Sequence, residues 1–356
     1  MQSMSKTWAG PGGEVAKQFS AFGLRTTRTA KTMSTTTTTR GGVSKSKRRG
    51  STKVGGGREM EEDPAVAEKR RVEMMDRVVI LDAAHAELRR QGKVLESLEH
   101  LEKSLFLRRE CWGPESTEVD RATQVFISSC NACSMVCLQA GNYKLCAELL
   151  RKADVLTGPK GYIKSKWIRR RLKCLTLNNL GCFYRRMGKL HSALRSLEES
   201  LKLEIAAVGD VQSAQDEAQQ EDGGGDALDG EPISRDAALR DVATSHLNIS
   251  AVLSEMARHD ASLQHAQCSV EIMRVRGFPE RGLEDGGEVT ELETFAIANH
   301  NMAAEYEHLS MYEEGASAYA SAVQAAEQVW GYTHGKTLNM RRAQEECAKL
   351  IKVAKP

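Results

Sequence analysis

Residues 177–201 read LNNLGCFYRRMGKLHSALRSLEESL. Apolar or small residues recur three and four positions apart on both sides of Gly188, which predicts two amphipathic helices joined by a short turn. Gly181 in the first helix and Ala193 and Ser200 in the second leave gaps in the helix surfaces. Two helices pack backbone against backbone only where the facing side chains are small, so these residues predict a closely packed helical hairpin.

The same pattern occurs five times between Leu81 and Val323. His85, at the first gap of the first copy, is the one large residue at these positions. The small residues are Ser134, Gly181, Ser250 and Ala303 at the first gap, Ser97, Cys146, Ala193, Ser262 and Gly315 at the second, and Ser104, Ala153, Ser200, Ser269 and Ala322 at the third. Repeated hairpins stack on their neighbours, so we predict an all-α fold, a right-handed α-solenoid of about five helical hairpins.

The chain is predicted to consist of an arm, a solenoid and an insert. Residues 1–62 are predicted to be a disordered basic arm, and residues 63–356 to form the solenoid, with a capping helix at 336–352 and an acidic insert at 208–235. The hairpins are expected at about 65–110, 118–157, 168–207, 236–275 and 291–330.

The arm differs from the rest of the chain in composition. Its first sixty residues hold 12 Lys and Arg against 2 Glu, with 18 Ser and Thr and ten Gly, while the whole chain has a net charge of +2. Such a segment has too little apolar surface to offset the entropy of ordering. It can contact microtubules, nucleic acid, anionic membrane or an acidic protein patch. Lys45 to Arg49 also fits a nuclear address, and the arm as a whole fits organelle import.

The insert is acidic. Residues 208–235 hold eight acidic residues and five Gly, and no Lys or Arg lies between Lys202 and Arg235. Like-charge repulsion and glycine predict an extended, mobile loop between the third and fourth hairpins. We interpret it as an inert insertion or as an internal competitor for basic ligands.

The hairpins share further features with one known repeat class. Besides the small and large positions, Gly92, Gly141 and Gly188 precede the second helix, and Tyr143 and Tyr312 follow such turns. In these features the chain resembles tetratricopeptide repeats. That resemblance implies a protein-binding solenoid without catalytic chemistry.

The spacing of the copies indicates a subtype of that family. Corresponding residues lie 49, 47, 69 and 53 positions apart, whereas the minimal period is about 34 residues. Two links read CWGPEST at 111–117 and VWGYTHGKT at 329–337, with Trp112 and Trp330 at the same repeat position. The chain is similar here to the extended repeats of kinesin light chains and their relatives.

Nine cysteines raise the question of a metal site. Cys130, Cys133 and Cys137 are spaced three and four apart on one predicted helix, where other copies carry large apolar residues, and Cys146 occupies a small position. This spacing is typical of a core stripe, so we expect reduced, buried thiols rather than a zinc site. We expect no cofactor and no metal.

The sequence contains no recognisable catalytic motif. HExxH, GxSxG and a phosphate-binding loop are absent, and the glycine runs lie in low-complexity segments. His191, His246, His259 and His265 stand at helical repeat positions, where packed or solvated imidazoles are common. We therefore predict that the chain is not an enzyme and has no small-molecule substrate.

Candidate binding residues lie on the first helix of each hairpin, which lines the concave face of such a solenoid. Asn179, Asn248 and Asn301 occupy one register in three consecutive copies, and kinesin-light-chain-type repeats hold peptide cargo with asparagines there. The second copy departs from the pattern, with Ala132 there and Asn131 one place earlier. The full predicted groove set is Asn131, Asn178, Asn179, Arg185, Arg186, Asn248, Asn301 and His300.

Charges beside these amides differ along the predicted groove. Arg185 and Arg186 would favour an acidic ligand segment, whereas Glu255, Glu307 and His308 at corresponding places would favour a basic one, which would orient a bound peptide.

The predicted function is a protein-interaction scaffold or adaptor that binds an extended peptide segment of a partner in its concave groove. Two alternatives remain: a cytoskeletal or ciliary assembly component that uses its convex face and basic arm, and a cysteine-cluster metal protein. We expect a cytoplasmic protein without a membrane span or nucleic-acid partner, with nucleus, cilium or an organelle as alternative compartments.

Overall fold

The computed structural model describes residues 63–159, 161–220, 234–280 and 289–354. Within these ranges the chain forms eleven helices and no strand, which confirms the all-α prediction. The predicted arm at 1–62 lies outside the described residues. The helices are α1 (Pro64–Arg90), α2 (Val94–Trp112), α3 (Thr117–Gln139), α4 (Tyr143–Leu156), α5 (Lys166–Arg186), α6 (Leu190–Gln220), α7 (Arg235–Glu255), α8 (His259–Val275), α9 (Val289–His308), α10 (Tyr312–Trp330) and α11 (Gly335–Ala354).

Five three-residue turns join α1 to α2, α3 to α4, α5 to α6, α7 to α8 and α9 to α10. In each turn the middle residue has a positive φ, and the amide of the third residue donates to a carbonyl five residues earlier at 2.8 or 2.9 Å. This is the Schellman ending of a helix. The middle residues are Gly92, Gly141, Gly188, Ala257 and Ser310, so only the first three copies use glycine in a conformation that favours it.

The predicted small positions lie at the contacts between helices, and all fourteen small residues are buried. At Gly181 the approach is close enough that an added Cβ would stand 2.5 Å from the Leu197 side chain. His85, the exception, is partly buried, and its Nδ1 lies 2.9 Å from the carbonyl oxygen of Ser97. Small residues therefore account for the packing at the first gap in the last four copies. In the first copy, the ring of His85 occupies this gap and contacts the Ser97 carbonyl oxygen.

The two Trp-Gly links have the same geometry. Gly113 and Gly331 follow α2 and α10 with φ of 77° and 81°, and each amide donates to the carbonyl four residues earlier. Both links are four residues long, at 113–116 and 331–334. The sequence similarity between them thus corresponds to a shared backbone conformation.

The helices pack in chain order, each against the next, with further contacts of α5 with α3 and of α7 with α5 and α9. This arrangement is that of a stacked array, whose right-handedness stays a prediction. The buried side chains form two apolar clusters, and α7 contributes to both. Val242, Ile249, Val252 and Leu253 join the first cluster, and Ala243 and Leu247 join the second.

One helix is longer than the sequence pattern predicts. The third hairpin was expected to end near residue 207, but α6 continues to Gln220, so residues 208–220 of the predicted loop are helical. That segment contains four Gln, two Ala and one Glu, which favour helix enough to extend α6 despite the acidic charge. Residues 221–233 of the insert lie outside the described residues.

Candidate protein-binding surface

Two of the predicted groove amides are accessible. Asn248 on α7 and Asn301 on α9 occupy the same repeat position and are both half-buried. Within the described residues, neither side chain forms a hydrogen bond. Each amide therefore keeps its donor and its acceptor for a ligand.

The amide at the same position on α5 is in a different state. Asn179 is 1% exposed, and its Nδ2 donates to the backbone carbonyl of Asn131 on α3 at 3.4 Å. Asn131 is fully buried, and within the described part of the chain its own side-chain amide has no hydrogen-bond partner. The predicted groove positions are therefore buried on α3 and α5 and partly exposed on α7 and α9.

Two further predicted residues point into the packing. Asn178 donates from Nδ2 to Glu204 on α6 at 3.1 Å and to Ser245 on α7 at 3.0 Å, and it is 2% exposed. His300 on α9 lies against the ring of Tyr319 with centroids 5.2 Å apart. Burial lowers the pKa of His300 to about 4, so its imidazole is neutral at physiological pH.

The predicted charged residues differ in their surroundings. Arg185 forms an ion pair with Glu255 on α7, with Nη2 and Oε1 2.7 Å apart, so these two residues neutralise one another. Arg186 is exposed. On α9, Glu307 accepts from the hydroxyl of Tyr319 at 3.1 Å.

His308, the last of the predicted charged residues, stacks on His259 with ring centroids 4.1 Å apart. Of the two predicted arginines, Arg186 is thus the exposed one, while Arg185 is paired with Glu255.

A polar cluster that the sequence pattern did not predict occupies the same three repeat positions in the first and third hairpins. In the first, Ser104 Oγ donates to Asp82 Oδ1 at 2.6 Å, and Arg108 forms an ion pair with Asp82 at 2.5 Å. Burial would raise the pKa of Asp82, but hydrogen bonds from Arg108 and Ser104 hold it below its usual value.

The third hairpin carries the same arrangement with other chemistry. Asn178, Ser200 and Glu204 stand at the positions of Asp82, Ser104 and Arg108, because both sets are spaced by 22 and 26 residues. Ser200 Oγ donates to Glu204 Oε1 at 3.0 Å. Burial and the nearby Asp241 carboxylate raise the pKa of Glu204 to about 8, although three hydrogen bonds oppose the shift. The matching spacing on first and second helices is the signal that could have revealed this cluster.

The cysteine stripe lies in the core, as its spacing predicts. Cys130, Cys133, Cys137 and Cys146 are at most 1% exposed. Burial raises the pKa of Cys133 to about 11 and that of Cys146 to about 12, so these thiols are protonated and poor nucleophiles. The described residues contain no group of three or more His, Cys, Asp or Glu side chains arranged to hold a metal ion.

A concave surface is formed by the second helices of the first two hairpins, together with Arg77 and Leu81 of α1. A groove of about 740 Å³ runs along α2 and α4, with Leu95, Leu149 and Phe106 among its apolar lining and Glu96, Glu99 and Lys103 among its charged lining. Phe106 is 57% exposed.

None of the helices in the described ranges has both the length and the apolar character needed to cross a bilayer.

Comparisons with known proteins identify the repeat. A tetratricopeptide-repeat family model matches residues 174–211, which lie in α5 and α6. Among solved structures, the chain is similar to the crystal structure of BtubC (BKLC) from P. vanneervenii, with 13% identity and a TM-score of 0.43 over 75% of this chain and 90% of that chain. No curated protein matches the chain. The hairpin that first indicated the fold lies within residues 174–211, so the family model confirms the resemblance to tetratricopeptide repeats.

Proposed function

We propose that the chain is a non-enzymatic adaptor that binds an extended peptide segment of a partner protein along the groove lined by α5, α7 and α9. The observation that carries the proposal is the pair Asn248 and Asn301, half-buried at one repeat position with both amides unused by the described residues. An extended peptide presents alternating N–H and C=O groups, and a side-chain amide can bind both.

The burial of Asn179 refines this proposal. Its amide already donates to the Asn131 carbonyl at 3.4 Å, which is long for such a bond. A peptide that reaches this part of the groove would have to replace that contact. The peptide is therefore expected to bind first at Asn248 and Asn301, and to reach Asn179 and Asn131 only as α3 and α5 move apart.

The test replaces both accessible amides and compares partner recovery. We expect Asn248→Ala with Asn301→Ala to lose partners that the full chain recovers from the native cell, while far-UV circular dichroism stays unchanged. Asn339→Ala is the matched control, because Asn339 is an exposed amide on α11, outside the groove. Unchanged recovery by the double variant would remove the groove proposal.

A second function is favoured by the groove between α2 and α4. Its apolar lining with an exposed Phe106 suits a component that is built into an assembly through its outer surface. Phe106→Glu would then lose partners that the double asparagine variant keeps, and deletion of residues 1–60 would show whether the basic arm contributes. If the double asparagine variant instead loses partners that Phe106→Glu keeps, the result supports the peptide groove.

A further inference from the structure

The first helix has two apolar faces, and only one of them is buried. Val78 on α1 is 3% exposed and belongs to the core, whereas Val79 is 67% exposed. A second row of exposed residues follows the helix at steps of three and four positions, so its members lie on one face. We call this row the outer stripe; it consists of Glu68, Val72, Met75, Val79, Ala83, Ala86 and Arg90.

The second hairpin does not share the apolar character of this row. At a distance of 49 residues, the corresponding positions on α3 carry Arg121, Gln124 and Ser128 where α1 carries Val72, Met75 and Val79. If the row merely lined a groove shared by all hairpins, the second copy would have no reason to be polar. The difference indicates that α1 has a contact of its own outside the solenoid.

The outer stripe is complementary to itself. Its spacing is symmetric about Val79, with members four, seven and eleven positions away on each side. Two antiparallel copies of α1 related by a two-fold axis at Val79 would place Met75 opposite the partner's Ala83 and Val72 opposite the partner's Ala86. Large residues would then face small ones, which lets the helices approach closely.

The charges at the ends agree with the same pairing. Glu68 and Arg90 lie eleven positions from Val79 on opposite sides, so each carboxylate meets the partner's guanidinium, twice in the dimer. Both side chains are exposed, at 66% and 78%. A parallel pairing would instead place like charges together at each end.

We propose that the chain forms an antiparallel homodimer in which the outer stripes of two α1 helices pack against each other about Val79. The stripe spans 23 residues, a length of about 33 Å. One helix pair is smaller than a standard interface, so the dimer is expected to be reversible, with a Kd on the order of 10 µM.

The first test measures mass against concentration for the full chain by sedimentation velocity. The wild type is expected to shift from 39.2 kDa toward twice that mass as concentration rises. Val79→Asp places two carboxylates on the axis and should raise the Kd at least tenfold. Ile80→Asp is the matched control, since Ile80 is 66% exposed but lies off the stripe. Both positions are exposed, so thermal melting should not change.

Charge exchange tests the register. Glu68→Arg alone and Arg90→Glu alone should each raise the Kd, and the two changes together should restore it. A wild type that stays monomeric up to about 200 µM overturns the proposal, as does a dimer that is insensitive to Val79→Asp.

Cross-linking tests the direction of the helices in a Cys268→Ser background, which removes the exposed native thiol. Val79→Cys should form a covalent dimer on mild oxidation, because the two positions meet on the axis. Val72→Cys should not, since it faces the partner's Ala86. Equal cross-linking at both positions would exclude the antiparallel arrangement.

Discussion

The first and third hairpins each carry three polar side chains at the same three repeat positions. The pKa of the carboxyl group is lowered in the first hairpin and raised in the third. In the first, Asp82 is paired with Arg108, and their side chains are 40% and 19% exposed. In the third, Glu204 is 5% exposed and is held by neutral donors. The position of the hairpin in the array explains the difference. The third hairpin has described neighbours on both sides, with α7 packed against it through Ser245, whereas the first has a described neighbour on one side.

This comparison shows that register alone does not decide what a repeat position does. A carboxylate near an end of the array stays hydrated and ionised beside a cation, where an ion pair is worth little. A carboxyl at an internal junction loses its water and holds its proton, and the surrounding amide and hydroxyls then become structural.

The largest expected effect comes from removing the buried amide of the third hairpin. Asn178→Ala takes away the donor to Glu204 and to Ser245 and leaves a cavity, so the free energy of unfolding should fall by about 3 kcal/mol. Asp82→Ala, at the same repeat position in the first hairpin, should cost about 1 kcal/mol. Urea denaturation of both variants measures this, and equal losses would contradict the comparison.

A smaller loss of stability is expected when a side chain is added at Gly181, where α5 packs closely against α6. Gly181→Ala would place its Cβ 2.5 Å from Leu197, so we expect overpacking to cost about 2 kcal/mol. Gly315→Ala is the control, because its Cβ would meet no atom closer than 3.3 Å. If thermal melting shows the same effect for both, the third hairpin is not the tighter one.

A further expected effect is a pH dependence of stability that separates the two carboxyl groups. The folded pKa of Glu204 is about 8 against a usual 4.5, so the folded state holds a proton that the unfolded chain releases between these values. Stability therefore falls as pH rises through this range, by at least about 1 kcal/mol relative to Glu204→Gln.

The contribution of Asp82 to stability has the opposite pH dependence. Its pKa is lowered, so its contribution is present above the usual value of 3.8 and is lost as pH falls through the folded pKa. Urea titrations at pH 5, 7 and 9 measure the Glu204 difference, and a constant gap between wild type and Glu204→Gln would refute the assignment.

The sequence predicted the packing better than the surface. Gly181 and Leu197 could be matched as a small residue that faces a large one, because close helix packing restricts residue size at each contact. The positive φ at Ala257 and Ser310 could not be foreseen, since neither residue type favours it. Likewise, the register placed Asn179 with Asn248 and Asn301, but its burial depends on how closely α3 approaches α5, which no local pattern encodes.

The shared helix α7 has a consequence for folding. Since Val252 and Leu253 belong to one apolar cluster and Leu247 to the other, neither half of the solenoid is complete without this helix. A chain cleaved between residues 220 and 234 would expose complementary apolar surfaces on both fragments. The halves should therefore melt as one cooperative unit when intact and reassociate when split, as complementing fragments do.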